Sequence, residues 1–320
     1  LSRVPEETYP VELEAPDIAA WAAGNTGIPY LTTLDSGRPG PHALVLALTH
    51  GNEICGAIAL AHLFRTGFRP ARGRVTLGFA NIAAYHRFDP LEPQNSRYID
   101  EDFNRVWDRV TLDGPRHSIE LDRARAVRPL IDTVDFLLDI HSMQHPTDPL
   151  MLAGVPDKGT ELARRVGVPR YIVRDGGHAA GRRLRDYAGF GEASAGPCAL
   201  LVECGQHWEK AAADIAKETT LRFLDALDLL EPDYKARELA YPPPPAQRVI
   251  EVTEAVTIMT DQFRFQRSFR GQEVIAQAGT LLGHDGSREI RTSYPDCVLI
   301  MPSRRLVRGQ TAVRLGRFTD

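Results

Sequence analysis

Between about residues 42 and 230 the chain alternates short apolar runs of strand length with longer stretches whose apolar residues recur at helical spacing. The runs ALVLALT at 43–49, VTLGFA at 75–80, FLLDI at 136–140, LMLAGV at 150–155, the segment 171–173 and ALLVE at 199–203 read as strands. Such continuous apolar runs suit strands covered on both faces. Helices are expected over 54–64, 118–134 with Pro129 as a kink, 159–166 and 209–230. Strand followed by helix, repeated, is the signature of an α/β fold around a mostly parallel sheet flanked by helices.

The pattern changes at YPPPP, residues 241–245. Consecutive prolines neither continue a helix nor pair in a central strand. Beyond them RVIEVTEAVTIMT, GQEVIAQAGTLLG, CVLIMP and QTAVRLG are short β-rich segments separated by Gly, Asp, Ser and Pro. Two units are therefore expected: a catalytic domain over 1–240 and a smaller all-β domain over 247–320 that packs near the active site.

Composition narrows the class. The 320 residues are 43% hydrophobic and 25% charged, an ordinary globular balance, and no run approaches the length of a membrane span. The net charge of −4 leaves no basic footprint for nucleic acid. Residues 1–23 are acidic and Pro-rich, without a basic start or an apolar stretch of signal-peptide length. The four cysteines, Cys55, Cys198, Cys204 and Cys297, form no CxxC pair, as expected of reduced thiols in a cytoplasm. The expected partner is a small molecule, and a homo-oligomer is compatible with the composition.

Chemistry concentrates where strands end. THGNEICG, residues 49–56, follows the first strong strand and precedes an apolar helix. In open α/β sheets functional groups gather at the carboxyl ends of strands. His50 and Glu53, three apart, can face one point from one helical turn, and they supply two of the three ligands of a His/His/Glu zinc site. His141, ending FLLDIH, supplies the third, with Asp139 and Ser142 beside it. His86, His145, His178 and His207 compete for that role, but only His141 directly terminates a buried strand. Glu203 in LLVECG is a carboxylate at an apolar strand end: either a buried salt-bridge partner or hydrogen-bonded core acid, or a proton carrier beside the metal. RYIDEDFNR, residues 97–105, places arginines in a polar loop, where a planar guanidinium suits carboxylates and developing oxyanions.

HGNE, RYIDEDFNR, DIH and VECG, in this order, resemble the succinylglutamate desuccinylase/aspartoacylase family, which is related to zinc carboxypeptidases. The resemblance covers about residues 40–230. It implies one zinc per chain on His50, Glu53 and His141, proton transfer by Glu203, and carbonyl polarisation by Arg97. It also implies recognition of a substrate carboxylate by Asn104 and Arg105, and hydrolysis of a small N-acyl amino acid or related carboxylated amide. The family's further arginine before the catalytic glutamate has no counterpart in GFGEASAGPCALLV. Arg182, Arg183, Arg185 and Tyr187 are the candidates to replace it, and Tyr294 is a candidate to reach the site from the tail. A metallocarboxypeptidase acting on peptides and a catalytically inactive small-molecule binding protein are the alternative readings.

Overall fold

The computed structural model describes residues 9–177, 180–239 and 241–319. Seven strands precede the prolines: β1 (Leu31–Asp35), β2 (His42–Ala47), β3 (Arg74–Phe79), β4 (Phe136–Met143), β5 (Leu150–Leu152), β6 (Tyr171–Arg174) and β7 (Cys198–Gln206). Seven follow: β8 (Arg248–Thr257), β9 (Phe263–Phe265), β10 (Val274–Ile275), β11 (Leu281–Asp285), β12 (Arg288–Arg291), β13 (Cys297–Ile300) and β14 (Thr311–Phe318). The helices are α1 (Ile54–Arg65), α2 (Ile82–Tyr85), α3 (Arg109–Asp113), α4 (Ile119–Ile131), α5 (Asp157–Val166), α6 (Lys210–Ala226) and α7 (Pro232–Glu238). None of them is long and apolar enough to cross a membrane.

Eleven strands form one mixed sheet in the order β1-β3-β2-β4-β7-β5-β6-β8-β14-β13-β10. Its centre, β3-β2-β4-β7, is parallel. All six residues of β2 are buried because both faces are covered. Ala43, Val45 and Ala47 pack into the cluster that includes Ala57 and Leu60 of α1, whereas Leu44 and Leu46 pack into the one that includes Leu121 and Val127 of α4. Period-2 alternation thus divides an unbroken apolar run between two cores.

The differences from the sequence reading have local causes. The helix expected over 209–230 stops at Ala226. There the chain turns through Asp228 (φ 57°), burying Leu229 and Leu230, and α7 starts afresh with Pro232 at its first position. Burial of those leucines overrides the helical periodicity. The helix expected over 118–134 runs from a Ser118 cap, whose Oγ accepts from Leu121 N at 3.0 Å, only to Ile131. β1, an antiparallel edge strand on β3, is too weakly alternating to be read from sequence. Strand β8 pairs parallel with β6 and antiparallel with β14, so most of the tail continues the main sheet. Strands β12-β11-β9 form a second, three-stranded sheet.

Two backbone features fix the turn after β2. Leu48 has φ 61°, a left-handed conformation costly for a side chain that is itself fully buried. A Cβ on Gly51 would sit 2.5 Å from Ala84 C, Ser96 O and Tyr85 N, all backbone atoms. That close approach lets Gly51 N donate to Arg97 O at 3.1 Å, tying the turn to the arginine loop. Gly51→Ala should therefore destabilise the fold by at least about 2 kcal/mol, the scale of overpacking where backbone must move. Urea unfolding of the variant at wild-type stability would show that the turn is not wedged.

Candidate metal centre and its cavity

The parallel strands β2, β4 and β7 bring their carboxyl ends together, and the polar residues meet there. His50 and Glu53 converge through a tight turn rather than the helical turn expected: Glu53 N donates to His50 O at 3.1 Å and Glu53 caps α1 with φ −93°, ψ 67°. His141 lies inside β4, which runs two residues past it, and pairs in register with Glu203 of β7. One ligand atom from each of His50, Glu53 and His141 lies within 4.8 Å of the others. Among the described residues they are the group of His, Cys, Asp or Glu side chains with that spacing.

The two imidazoles are arranged alike. His50 Nδ1 lies 2.7 Å from Glu53 Oε1, and His141 Nδ1 lies 2.9 Å from Glu53 Oε2. Their Nε2 atoms face other carboxylates, Asp102 Oδ1 at 2.9 Å and Asp139 Oδ2 at 2.9 Å. Asp139 is held in turn by Thr49 Oγ1 at 2.7 Å. Carboxylate oxygens thus lie against both nitrogens of each ring, so three acidic side chains, Glu53, Asp102 and Asp139, converge on two imidazoles in a buried site. Imidazole nitrogens and carboxylate oxygens held this close in a buried site need a proton or a cation between them. The donor set therefore fits a zinc ion, which takes imidazole nitrogen and carboxylate oxygen at about 2.0–2.2 Å. Burial raises the Glu53 pKa, but His50 and His141 outweigh it and hold the carboxylate well below its usual range.

Glu203 is 7% exposed, and its Oε2 has no hydrogen-bond partner among the described residues. Burial pushes its pKa up to about 8, against the pull of His141 and Arg97. No salt bridge to it is formed among those residues. His207 is fully buried, and burial lowers its pKa to about 3. It is thus neutral, with Nδ1 2.8 Å from Ser142 Oγ; Ser142 N in turn donates to Glu53 Oε2 at 3.2 Å.

These groups line a cavity of about 550 Å³ that also holds Arg97, Asn104 and Arg105. Arg97 Nη1 donates to Glu53 Oε1 at 3.2 Å, and its Nη2 donates to Asp102 Oδ2 at 3.2 Å and lies 3.0 Å from His50 Nε2. Asn104 uses Oδ1 to accept from Leu184 N at 2.8 Å, leaving Nδ2 without a protein partner among the described residues. Arg105 Nη1 donates to Asn104 O at 2.7 Å, and the rest of its fork makes no hydrogen bond among the described residues.

The rival histidines separate. His145 lines the cavity near Tyr9, His86 is exposed beside Tyr30, and His178 lies outside the described residues. Tyr294 does not reach the cavity; its hydroxyl bonds Thr253 inside the core of the tail. Tyr187 bonds Asp132 and Arg128, away from the metal centre. Sequence reasoning passed over Asp102, although it lies within RYIDEDFNR, and passed over Asp175 and Arg314, for which no motif gave a signal.

The α/β sheet thus brings two histidines and a carboxylate that could hold a metal ion together beside a buried glutamic acid. The succinylglutamate desuccinylase/aspartoacylase catalytic domain profile matches residues 39–229, and the chain belongs to that family of hydrolases. Solved structures similar to it include succinylglutamate desuccinylase from Vibrio cholerae, at 17% identity over 91% of this chain and 86% of that one, with a TM-score of 0.68. The product-bound ectoine utilization protein EutE from Ruegeria pomeroyi is similar at 18% identity over 89% and 88%, TM-score 0.62. An aspartoacylase family protein from Mesorhizobium loti is similar at 19% identity over 92% and 90%, TM-score 0.59. At these identities the likeness is one of fold. No curated protein matches the chain in sequence.

If the three residues hold the metal, His50→Ala, Glu53→Ala and His141→Ala should each lose most bound metal while staying folded. Elemental analysis of the purified variants checks this, and full occupancy in all three would remove the ligand assignment.

Proposed function

We propose that the protein is a zinc-dependent hydrolase that cleaves the amide bond of a small N-acyl amino acid or related carboxylated amide, releasing a carboxylic acid and a free amine. The observation that carries this reading is the pairing of Glu203, with its pKa raised to about 8 by burial, against His141 of the His–Glu–His cluster in adjacent strands. His50, Glu53 and His141 would hold the zinc ion, which would supply Lewis acidity for the amide carbonyl and the attacking water.

The protein's own groups do the rest. Glu203 takes the proton of the attacking water and gives it to the departing nitrogen; its raised affinity for a proton suits the second transfer in particular. Arg97, held by Glu53 and Asp102, presents its remaining N–H groups to charge developing on the carbonyl oxygen. Asn104 Nδ2 and the open side of the Arg105 fork bind the substrate carboxylate. Met301, Ser303 and Thr311 of the tail wall the cavity, which favours a small amide over an extended peptide.

Glu203→Gln preserves shape but not proton transfer, so it should keep its metal and lose turnover by roughly 100-fold to 10,000-fold. Steady-state kinetics on a screen of acetyl and succinyl amino acids measures this; turnover near that of the wild type with metal intact would make Glu203 a structural acid. Arg105→Ala should mainly raise KM and Arg97→Ala mainly lower kcat, because the first contact exists in the ground state and the second strengthens as charge develops. Equal cleavage of a free-acid substrate and its C-terminal amide would remove the carboxylate role of Arg105.

A further inference from the structure

The chain runs on from VECG into QHW, residues 206–208, which the proposed chemistry does not use. All three are buried, Gln206 and His207 completely and Trp208 to 1% exposure. A bulge in β7 turns them toward the site. His141 pairs with Glu203 but Met143 pairs with Gln206, so β7 carries one residue more than β4 over this span. Gly205 takes up the excess with φ 105°, a conformation that favours glycine. A bulge of this kind re-aims the side chains that follow it.

The residues after the bulge reach both of the other strand ends. Gln206 Nε2 donates to Gln144 O at 3.3 Å and His207 N donates to Met143 O at 2.9 Å, which closes β7 onto the end of β4. His207 Nδ1 lies 2.8 Å from Ser142 Oγ, and Ser142 stands next to His141 with its own N–H on Glu53 Oε2. That is the one hydrogen bond the imidazole makes among the described residues, because its Nε2 has no partner there. Trp208 reaches further: its Nε1 donates to Asn52 O at 3.2 Å, inside the turn between His50 and Glu53. The Asn52 side chain is fully buried, yet neither of its amide atoms makes a hydrogen bond among those residues. Its side chain therefore does not anchor the turn, whereas the indole on its carbonyl does.

We propose that His207 and Trp208 are positioning residues: carried across by the bulge in β7, they fix Ser142 beside His141 and Asn52 beside Glu53, and so set the gap in which the His–Glu–His cluster takes a metal ion. Groups drawn from separate strand ends bind a metal well only when neighbours with locked side chains hold them to within about 0.5 Å. His207 and Trp208, buried and each bonded to a different strand end, meet that requirement. The inference rests on the reading that His50, Glu53 and His141 hold zinc, but not on which amide is cleaved.

The test is the zinc dissociation constant of the full chain, stripped of metal and titrated with zinc against a chromophoric chelator. Trp208→Phe keeps a ring and loses the donor; His207→Leu keeps the bulk and loses the bond to Ser142. Each should weaken zinc binding by roughly 10-fold to 100-fold, the scale of losing a group that holds a metal ligand in place. Adding Ser142→Ala to His207→Leu should cost little more, because both remove the same bond. Rescue identifies the nitrogen. His207→Asn places its amide near the position of Nδ1 and should recover most of the affinity, whereas His207→Gln places it near Nε2 and should not; this pair decides the matter if His207→Leu does not fold. Wild-type affinity in Trp208→Phe or in a folded His207→Leu overturns the proposal and leaves the zinc reading standing. Rescue by Gln rather than Asn also overturns it, since the imidazole would then act directly through Nε2. A wild type that binds no zinc removes the zinc reading and the proposal together.

Discussion

Two imidazoles aimed at one buried carboxylate are the constraint around which the site is built. With Asp102 and Asp139 at the far nitrogens, the near nitrogens of His50 and His141 lie against the two oxygens of Glu53, and only a cation or a pair of protons makes that arrangement favourable. The surrounding structure holds these groups where they would otherwise repel. Leu48 accepts a left-handed backbone, Gly51 gives up its side chain to backbone contact, and Ser142 N and Arg97 Nη1 pin the two oxygens of Glu53. Strain and buried charge of this kind persist only where the packing over-determines them. Here the close-packed parallel centre of the sheet supplies that rigidity.

The same constraint explains why the His–Glu–His cluster was legible in the sequence. Residues that must meet at the ends of adjacent parallel strands are announced by the strands themselves: ALVLALT before His50, FLLDI before His141, ALLVE carrying Glu203. Each run is continuous because both faces are buried, and the polar residue that breaks it stands out. The detail was less legible. That His50 and Glu53 meet through a non-helical turn depends on Gly51 meeting the backbone of residues 84, 85 and 96, a contact between segments that spacing alone does not encode. Asp102 was hidden for a related reason, since a carboxylate among many in RYIDEDFNR becomes a histidine partner only when the loop is docked by Gly51 N on Arg97 O.

Boundaries failed where burial and local pattern disagreed. The apolar periodicity after Glu209 continues to Leu230, but the last leucines serve the core from a turn rather than from a helix. The isolated bridge between Pro70 and Leu230 shows what competes: that stretch of chain is pulled toward the segment leading into β3. Helical spacing reports which residues want burial, not which conformation delivers them.

The tail poses the sharper lesson. In sequence its strands are ordinary, and QTAVRLG reads as alternation with one basic residue among apolar ones. Arg314 falls on a strand whose neighbours Val313 and Leu315 are fully buried in the core of the tail. Period-2 geometry then obliges Arg314 to point to the opposite face. Because β8 extends the main sheet beyond β6 and β14 follows β8, that face is continuous with the wall of the cavity. A one-residue slip of β14 against β8 would bury Arg314 in the apolar core and aim Val313 or Leu315 at the substrate. Part of the charge lining the cavity is thus decided by the register of strands far from every motif, independently of the His–Glu–His cluster.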